Sequence, residues 1–327
     1  MKKSVAWLIG VVLFSAIFPG VLFLKANQKI FLDESVEKVF EIAPKTGFNE
    51  IAEKLAEKKI ISSAAIFKIY GAVAGKARRL KPGRYVFQGE VSAAEVLEIL
   101  TVGPKDVAAT IVPGATLLEI DEQLNSLGII KAGDIVNFDV AGLKGEHPWL
   151  GLKTGSLEGF LLPDTYFFSM DSDPKDVVNK MLINFEKKAL TLFDNNVNLE
   201  KLALASILEK EIPDYEERRL VAGILEKRLA SGVPLQVDAS VIYAKCGKFL
   251  NCPLSKKDYM IDSPHNSYLY KGWPPSPISN PSVSAIKAAL QPEKSSYWYY
   301  LSDPKTKKTI FADTLDEHNQ NKAVYLK

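Results

Sequence analysis

The chain opens with a long apolar stretch. Residues 5–24 are mostly apolar, and no charged residue occurs between Lys3 and Lys25. Because about twenty helical residues span roughly 30 Å, the thickness of a bilayer's hydrocarbon core, this stretch predicts a transmembrane helix. A cleaved signal peptide is the alternative, but its apolar region is shorter, about 7–15 residues, and ends in a small-residue cleavage site that this stretch lacks.

The same stretch predicts the orientation of the chain. Residues 1–4 would form a short cytoplasmic tip that carries Lys2 and Lys3. Short basic segments remain in the cytoplasm, so the chain after the span is expected on the periplasmic or extracytoplasmic side. The sequence therefore predicts a single-pass protein of the cell inner (cytoplasmic) membrane.

Beyond the span, the apolar pattern changes between strand spacing and helix spacing. The predicted elements are a strand over 36–43, helices over 48–61 and 64–73, a strand over 84–88, and a helix over 92–100. Ile51 and Leu55 belong to the apolar face of the first helix, and Ser92 is the expected N-cap of the third. This order resembles a LysM-like module, a small α/β fold with which many cell-wall proteins hold glycan.

An internal echo predicts that part of this module is repeated. Nine positions, all Ile, Leu, Glu or Pro, recur with the same residue type 69 residues later. The first set is Ile42, Pro44, Glu50, Ile51, Glu53, Leu55, Ile60, Ile61 and Ile66, and the second is Ile111, Pro113, Glu119, Ile120, Glu122, Leu124, Ile129, Ile130 and Ile135. A fixed offset indicates a repeated strand–turn–helix unit, here over 107–150, with coincidence as the alternative.

The rest of the chain predicts a mixed architecture. Helices are expected over 174–192, 199–212 and 216–231, a hairpin over 297–301 and 309–311, and a closing helix near His318. The stretch 264–281 contains too much proline for a regular element. Together with the first module, this pattern predicts an α+β protein.

Composition and charge exclude several classes of function. Apolar residues make up 47% of the chain and charged residues 24%, as in ordinary globular proteins. The net charge of +2 is spread along the chain and gives no case for nucleic acid. Cys246, Cys252 and three scattered histidines lack zinc-ligand spacing, so neither a metal nor a cofactor is expected. Outside the cytoplasm the two cysteines could close a small disulfide loop, with two free thiols as the alternative.

Five motifs in the second half of the chain carry the candidate chemistry. They are Glu158–Phe160 with Leu162–Tyr166; Ala205–Glu211; Leu235–Asp238 with Val241–Tyr243; Asn266–Tyr268 with Gly272–Pro275 and Pro277–Pro281; and Tyr297–Leu301 with Phe311 and His318-Asn319. In this order they resemble the YceG/MltG family of membrane-anchored endolytic peptidoglycan transglycosylases. The chain departs from that family's pattern at Ser267, Trp273, Ser276 and Ser282, all outside the acidic segment.

The resemblance implies an endolytic murein transglycosylase, a lyase acting on peptidoglycan glycan strands. Such an enzyme cleaves the β-1,4 bond between N-acetylmuramic acid (MurNAc) and N-acetylglucosamine (GlcNAc) in nascent strands. It leaves 1,6-anhydro-MurNAc ends and thereby limits strand length. Penicillin-binding proteins and other wall-synthesis enzymes would be its neighbours. The implied domains are a LysM-like module over 36–103 and a mixed α+β catalytic domain over 107–327.

Two other hypotheses remain open at this stage. The first is a non-catalytic, membrane-anchored scaffold that binds peptidoglycan through the LysM-like module. The second is a muramidase-type hydrolase, which would need a second carboxylate to assist a water molecule. Asp164 and Asp238 are the candidates for that second carboxylate.

The apolar segment 202–212 ends with two glutamates, Glu209 and Glu211. Apolar surroundings raise the pKa of a carboxyl group, and a carboxylic acid that is protonated near neutral pH is what glycosidic bond cleavage needs. Positions i and i+2 of a helix point about 200° apart, so the two cannot share a face, and both have apolar neighbours. Spacing leaves the choice open. The family resemblance favours Glu211 as the catalytic acid, with Glu209 as the alternative and Lys210 as a solvated or substrate-facing cation.

Four polar residues further along the chain are candidates for contact with the glycan. Gln236, Asn266 and Tyr268 carry amides and a phenol, which hydrogen-bond sugar hydroxyls and acetamido groups. Hydrogen bonding within turns and loops is their alternative role. Asp238 is the fourth candidate, and it is also the expected cap of a helix over 239–244.

Overall fold

The computed structural model describes residues 19–32, 38–143, 145–150, 155–306 and 308–326. The contacts divide the chain into two units. The first contains the residues up to Val107 together with Ser169–Asp171, and the second contains Ala108–Phe168 and the residues from Ser172 onward.

The first unit consists of short antiparallel strand pairs and three helices. Its elements are β1 (Lys29–Phe31), β2 (Lys38–Ile42), α1 (Phe48–Glu57), α2 (Ala64–Val73), β3 (Gly83–Phe87), β4 (Glu90–Ser92) and α3 (Ala93–Val102). Strand β1 pairs with β4, and β2 pairs with β3. Ile51 and Leu55 of α1 are buried in one core with Phe67 of α2 and Leu97 of α3, as the apolar spacing predicts.

The start of α3 shows how the sequence fixes a helix end. The Ser92 Oγ accepts a hydrogen bond from the Glu95 N–H at 3.2 Å, and the Glu95 Oε2 accepts one from the Ser92 N–H at 2.8 Å. This reciprocal capping box satisfies two backbone donors that the first helical turn leaves free. The prediction of Ser92 as an N-cap is confirmed.

The predicted membrane span over 5–24 lies mostly outside the described residues. The tip 1–4 and residues 5–18 are not among them, and residues 19–26 form a short helix. Within the described part of the chain, no helix is both long enough and apolar enough to cross a bilayer.

The second unit has an α+β architecture. Its elements are β5 (Val107–Thr110), α4 (Leu117–Ser126), β6 (Thr165–Phe168), α5 (Pro174–Lys188), α6 (Leu199–Glu211), α7 (Tyr215–Ala230), α8 (Asp238–Cys246), α9 (Val283–Leu290), β7 (Tyr299–Ser302), β8 (Thr309–Ala312) and α10 (Leu315–Tyr325). Strand β5 pairs with β6, and β7 with β8 as an antiparallel hairpin. The mixed α+β class predicted from the sequence is confirmed.

Helix α6 is the central helix of this unit. Its residues Leu202–Leu208 are buried without interruption, and it packs against α7, α8 and α9. A helix that is apolar on every side is stable when other elements surround it. This burial fixes the position of the C-terminal end of α6, where the two candidate glutamates lie.

The two sequence segments that repeat with an offset of 69 residues form the same secondary structure only in part. Strands β2 and β5 begin 69 residues apart, and helices α1 and α4 begin and end 69 residues apart. The counterpart of α2 would cover 133–142, but Gly133 has a φ of +89° and the chain there forms turns and a short 3₁₀ helix, Val140–Leu143. The correspondence therefore covers a strand and one helix.

Cys246 and Cys252 form a disulfide. The bond joins the last residue of α8 to the loop that follows, and it encloses Phe249 and Leu250. Of the two alternatives that the sequence left open, the structure has the disulfide loop.

Candidate active site

A cavity of about 590 Å³ lies in the second unit, between the end of α6, the start of α8, the hairpin β7–β8 and helix α10. Four of the residues predicted from the sequence line it, namely Glu211, Gln236, Asp238 and Tyr268. Residues that are far apart in the sequence are thus brought together in one cavity.

Glu211 is the last residue of α6, and its side chain is partly buried in the cavity wall. Burial, and secondly the negative charge of Asp238, raise the pKa of Glu211 to about 7, while a hydrogen bond from the Ala239 backbone N–H acts in the opposite direction. A carboxyl group with this pKa still carries a proton in much of the population near neutral pH. It can therefore act as a general acid there.

Glu209 points into different surroundings. Its Oε1 accepts a hydrogen bond from the Arg218 Nη2 at 2.8 Å, and its Oε2 accepts one from the Ser282 N–H at 2.8 Å. The side chains of Glu209 and Arg218 are both 7% exposed. Removing one member of such a buried ion pair leaves an uncompensated charge, so the pair has a structural role in holding α6, α7 and α9 together.

Lys210 does not reach the cavity that holds Glu211. Its Nζ donates a hydrogen bond to the Gly114 carbonyl oxygen at 3.1 Å and lies 3.8 Å from the centre of the Phe249 ring. Burial lowers the pKa of Lys210. Lys210 is half-buried and lines a different cavity, beside α4 and the disulfide loop, so its predicted role as a solvated or substrate-facing cation stays a prediction.

Asp238 is not the cap of α8. The helix begins at Asp238 itself, and its N-cap is Val237, whose side chain makes no capping hydrogen bond. The Asp238 Oδ1 accepts hydrogen bonds from the Tyr268 hydroxyl at 2.7 Å and the Tyr259 hydroxyl at 3.2 Å. The predicted cap is therefore wrong, and two tyrosines hold this carboxylate at the cavity.

Gln236 lines the cavity and has a positive φ of 54°. Its Oε1 accepts a hydrogen bond from the Arg228 Nη2 at 2.7 Å, and the Arg228 Nε donates to the Pro234 carbonyl oxygen at 3.1 Å. This clamp fixes the amide oxygen of Gln236. The Nε2 group, which has two donors, makes no hydrogen bond to the described part of the chain and can serve a ligand.

Asn266 does not line the cavity. It is buried, its Nδ2 donates to the carbonyl oxygens of Tyr259 and Ile261, and its Oδ1 accepts from the Tyr268 N–H. These bonds use both amide donors and hold the loop that presents Tyr259 and Tyr268. For Asn266 the structure thus favours loop hydrogen bonding over contact with a glycan.

Asp164 also lies outside the cavity lining. It accepts hydrogen bonds from the Lys188 Nζ at 2.6 Å and the Asn184 Nδ2 at 2.8 Å. The bond from Lys188 is the largest cause of a lowered pKa of Asp164. Of the two candidates for a second carboxylate, Asp238 is the one in the cavity.

Tyr300 lines the cavity and was not among the predicted site residues. Burial, and secondly the charge of Glu211, raise the pKa of its hydroxyl well above the usual value. The hydroxyl makes no hydrogen bond to the described residues, so it can donate one to a ligand beside Glu211. The run of aromatic residues before Leu301 gave no signal of which side chain faces the cavity.

Glu158 shows that a raised pKa alone does not identify the acid. Burial raises the pKa of its carboxyl group to about 8, but the residue is only 2% exposed. It accepts hydrogen bonds from the Leu117 N–H, the Tyr243 hydroxyl and the Asn280 Nδ2. A carboxyl group sealed in this way cannot reach a polymer substrate.

The described residues contain no group of three or more His, Cys, Asp or Glu side chains that could hold a metal ion. A partly buried carboxyl group with a pKa of about 7, beside the Asp238 side chain, tyrosines and an amide, can supply the proton for acid-catalysed cleavage of a glycosidic bond.

The α+β fold described above assigns the chain to one protein family. The chain belongs to the YceG-like family, whose profile matches residues 40–324.

Proteins similar to this chain come from several bacteria. It is 31% identical over 304 residues to a protein of Bacillus subtilis (strain 168) named endolytic murein transglycosylase, which covers 84% of this chain and 81% of that protein. A protein of the same name from Streptococcus pneumoniae (strain ATCC BAA-255 / R6) is 28% identical over 331 residues, and the match covers 90% of this chain and 60% of that protein.

A solved structure is also similar. The crystal structure of a yceG-like protein from Listeria monocytogenes has a TM-score of 0.58 and 30% sequence identity, covering 88% of this chain and 99% of that one. The fold described above is therefore a YceG-like fold.

Proposed function

We propose that this protein is an endolytic murein transglycosylase in which Glu211 is the general acid. The assignment rests on one observation: the Glu211 carboxyl group can hold a proton near neutral pH and is also accessible from the cavity. Its carboxyl group has a pKa of about 7 and lines the cavity, whereas Glu209 is held in a buried ion pair and Glu158 is sealed in the core. Relatives with the corresponding name support the reaction.

The reaction can proceed with one carboxyl group. Protonated Glu211 donates its proton to the oxygen that links MurNAc C1 to GlcNAc, and the C1–O bond breaks. The Glu211 carboxylate then accepts the proton of the MurNAc C6 hydroxyl, and O6 attacks C1 to close a 1,6-anhydro ring. Water is not consumed, and Glu211 ends in the protonated form in which it began. A hydroxyl already attached to the same sugar replaces the activated water of a hydrolase through proximity.

Three residues around Glu211 are suited to the substrate. Asp238, held by its two tyrosines, places a negative charge near the sugar on which positive charge develops as the C1–O bond breaks. Gln236 offers amide donors to hydroxyl or acetamido oxygens, and Tyr268 presents an aromatic ring to the cavity. We propose that these three residues contact the glycan. We do not assign this role to Asn266, because both of its amide donors are hydrogen-bonded within its own loop.

The sequence also supports a location for this activity. The apolar stretch 5–24 would anchor the protein by a single span, with the catalytic unit outside. The module over 36–103 would hold glycan in the manner of LysM-like folds. An anchored site would meet nascent strands close to the membrane, where penicillin-binding proteins and other wall-synthesis enzymes work. Carbonate extraction of membranes containing the full chain, compared with a chain lacking residues 5–24, tests the anchor.

The position of Asp238 in the cavity makes a two-carboxylate hydrolase the alternative to test. The reaction product distinguishes this alternative from the proposed transglycosylase. Uncrosslinked strands would be digested by the full chain in water enriched in ¹⁸O, and the ends analysed by mass spectrometry. We expect 1,6-anhydro ends that contain no ¹⁸O.

Reducing MurNAc ends that carry one ¹⁸O would contradict the proposal and would make Asp238 the candidate for water activation. Asp238→Asn is the matched variant, since it keeps an oxygen that can accept from Tyr268 and Tyr259. A hydrolase would lose turnover with this substitution, whereas a transglycosylase would still form anhydro ends, at a rate reduced by the loss of the Asp238 charge.

A further inference from the structure

Arg228, His318 and Lys322 all line the cavity, yet the chemistry at Glu211 makes no use of them. We propose that this Arg228–His318–Lys322 cluster is a subsite for an anionic group carried by the glycan strand. The inference rests on the proposed function, since it takes the same strand as the ligand of the same cavity.

Arg228 is a buried cation without a carboxylate partner. It is 6% exposed, and its hydrogen bonds go to neutral acceptors, the Pro234 carbonyl and the Gln236 amide oxygen. The guanidinium lies 5.7 Å from the centre of the Tyr299 ring. It forms no ion pair with the described part of the chain. Burying a charge is costly unless an opposite charge compensates it, so an anion in the cavity would stabilise Arg228.

Arg218 on the same helix provides a comparison. It too is 6% exposed, but its guanidinium is paired with Glu209 at 2.8 Å. The two buried arginines of α7 thus have different environments. Arg218 is paired with a carboxylate of the chain, whereas Arg228 lines the cavity. The difference indicates that the partner of Arg228 comes from outside the protein.

His318 provides a second, independent observation. It is 9% exposed and stacks on Tyr299, with ring centres 5.1 Å apart. Its buried Nδ1 has no hydrogen-bond partner among the described residues. Buried polar atoms are almost always paired, so an unpaired one at a cavity indicates a group that binds there.

Lys322 completes the subsite. It lies four residues after His318 on α10, so the two side chains share one face of that helix. Lys322 is exposed and forms no ion pair within the described ranges. A fixed guanidinium, an exposed ammonium and an imidazole nitrogen together match the oxygens of a carboxylate or phosphate.

Two parts of a nascent strand carry such oxygens. One is the carboxylates of the peptide stem attached to MurNAc, and the other is the diphosphate that joins a growing strand to its lipid. Both offer the same oxyanion chemistry. Which of them occupies the subsite would decide whether the enzyme selects strands by their stems or by their attached end.

The test measures binding, so that it does not depend on turnover. The full chain in detergent carries Glu211→Gln, and Lys322→Glu is added to it. Dissociation constants are measured for four strands of equal length, with stem carboxylates free or converted to methylamides, and with the lipid diphosphate present or removed. Lys287→Glu is the matched control, because Lys287 is exposed on α9 and forms no ion pair with the described residues.

We expect Lys322→Glu to weaken binding about three- to tenfold for strands that carry the recognised anion, as is typical for reversal of a charge at the rim of a site. The loss should shrink at high salt. A loss confined to free stems assigns the peptide carboxylates, and one confined to lipid-linked strands assigns the diphosphate.

Equal binding of all four strands by the Lys322→Glu and Lys287→Glu proteins would overturn the subsite. So would an equal loss for the strand with neither anion, since that would indicate a contact with the sugars. Cleavage of the strands by Glu211→Gln alone would contradict the proposed mechanism, whereas a loss of binding by Lys322→Glu that depends on the anion tests the subsite separately.

Discussion

At the scale of the residue, the end of α6 sends three consecutive side chains into three different environments. Glu209 is paired with Arg218, Lys210 contacts Gly114 and Phe249 beside a different cavity, and Glu211 lines the cavity of the candidate site. Other elements pack around the helix on all sides up to Leu208. Each of the three side chains therefore contacts the element that packs on its own face of the helix. The chemical difference between the two glutamates comes from these neighbours.

Asp238 contributes to the raised pKa of Glu211, although burial is the larger cause. We therefore expect Asp238→Asn to lower the pKa of Glu211 and to move the alkaline limb of the pH profile of kcat/KM to lower pH. The direction follows because a nearby negative charge favours the protonated acid, and its removal lets the proton leave more easily.

The measurement is the rate of strand cleavage across pH 5 to 9. Asp262→Asn is the control, since Asp262 is exposed and outside the cavity lining. An alkaline limb that stays in place or moves upward in Asp238→Asn would contradict the predicted coupling.

Glu158 makes stability depend on pH. Its pKa is raised to about 8 in the folded state, so the folded protein holds this proton in a range where the unfolded chain has already released it. The stabilisation is fully present below the ordinary carboxyl pKa and is lost as pH rises towards 8. We expect Glu158→Gln, which cannot ionise, to show a smaller fall in the free energy of unfolding between pH 5 and 9.

Chemical denaturation at several pH values measures this slope. Glu186→Gln, an exposed position on α5, makes the same chemical change without burial and should follow the wild type. Identical slopes for Glu158→Gln and the wild type would show that the Glu158 carboxyl group is already ionised in the folded protein.

The sequence could predict the acidic segment but could not choose between its two glutamates. Choosing requires knowing that Arg218 and Ser282 meet Glu209, and Ser282 lies 73 residues away in the chain. Tyr300 was missed for the same reason, since a run of aromatic residues does not indicate which ring faces a cavity.

At the scale of the element, local signals predicted best. Helix α2 has the predicted bounds, Ser92 caps α3, and α5, α6, α7 and the β7–β8 hairpin occur where periodicity indicates them. The helix expected over 48–61 ends earlier, at Glu57, because Lys59 has a positive φ of 54°. Helix α9 was not predicted, since its small residues are buried by packing on α6 and α7 and leave little pattern in the sequence.

The disulfide at the end of α8 should stabilise the fold more than it supports catalysis. Closing a loop this short stabilises a protein by about 2 kcal/mol in the chain-entropy model. The enclosed Phe249 packs on Lys210, away from the cavity of Glu211. We expect the double variant Cys246→Ser, Cys252→Ser to lose about this much free energy of unfolding while strand cleavage falls much less.

Urea denaturation with and without a reductant measures this contribution. The wild type should fall to the stability of the double variant when reduced, and the variant should not respond. A wild type that is indifferent to the reductant would contradict a stabilising role for the bond.

At the scale of the whole molecule, the candidate site depends on long-range assembly. Glu211, Asp238 and Tyr300 come from α6, α8 and β7, which are far apart in the chain. Sequence motifs in the right order predicted the family and the α+β class, because those follow from local patterns. The walls of the cavity form by packing between segments that are distant in the sequence. No local sequence pattern predicts such packing.

The central claim is that Glu211, and not Glu209, is the acid. The most direct measurement compares Glu211→Gln with Glu209→Gln in one assay of strand cleavage and one of thermal unfolding. We expect Glu211→Gln to abolish 1,6-anhydro ends with an unfolding temperature close to that of the wild type. Glu209→Gln should unfold at a lower temperature, because it breaks a buried ion pair, and should retain cleavage below that temperature. Cleavage at the wild-type rate by folded Glu211→Gln, or complete loss of cleavage in a stable Glu209→Gln, would contradict the assignment.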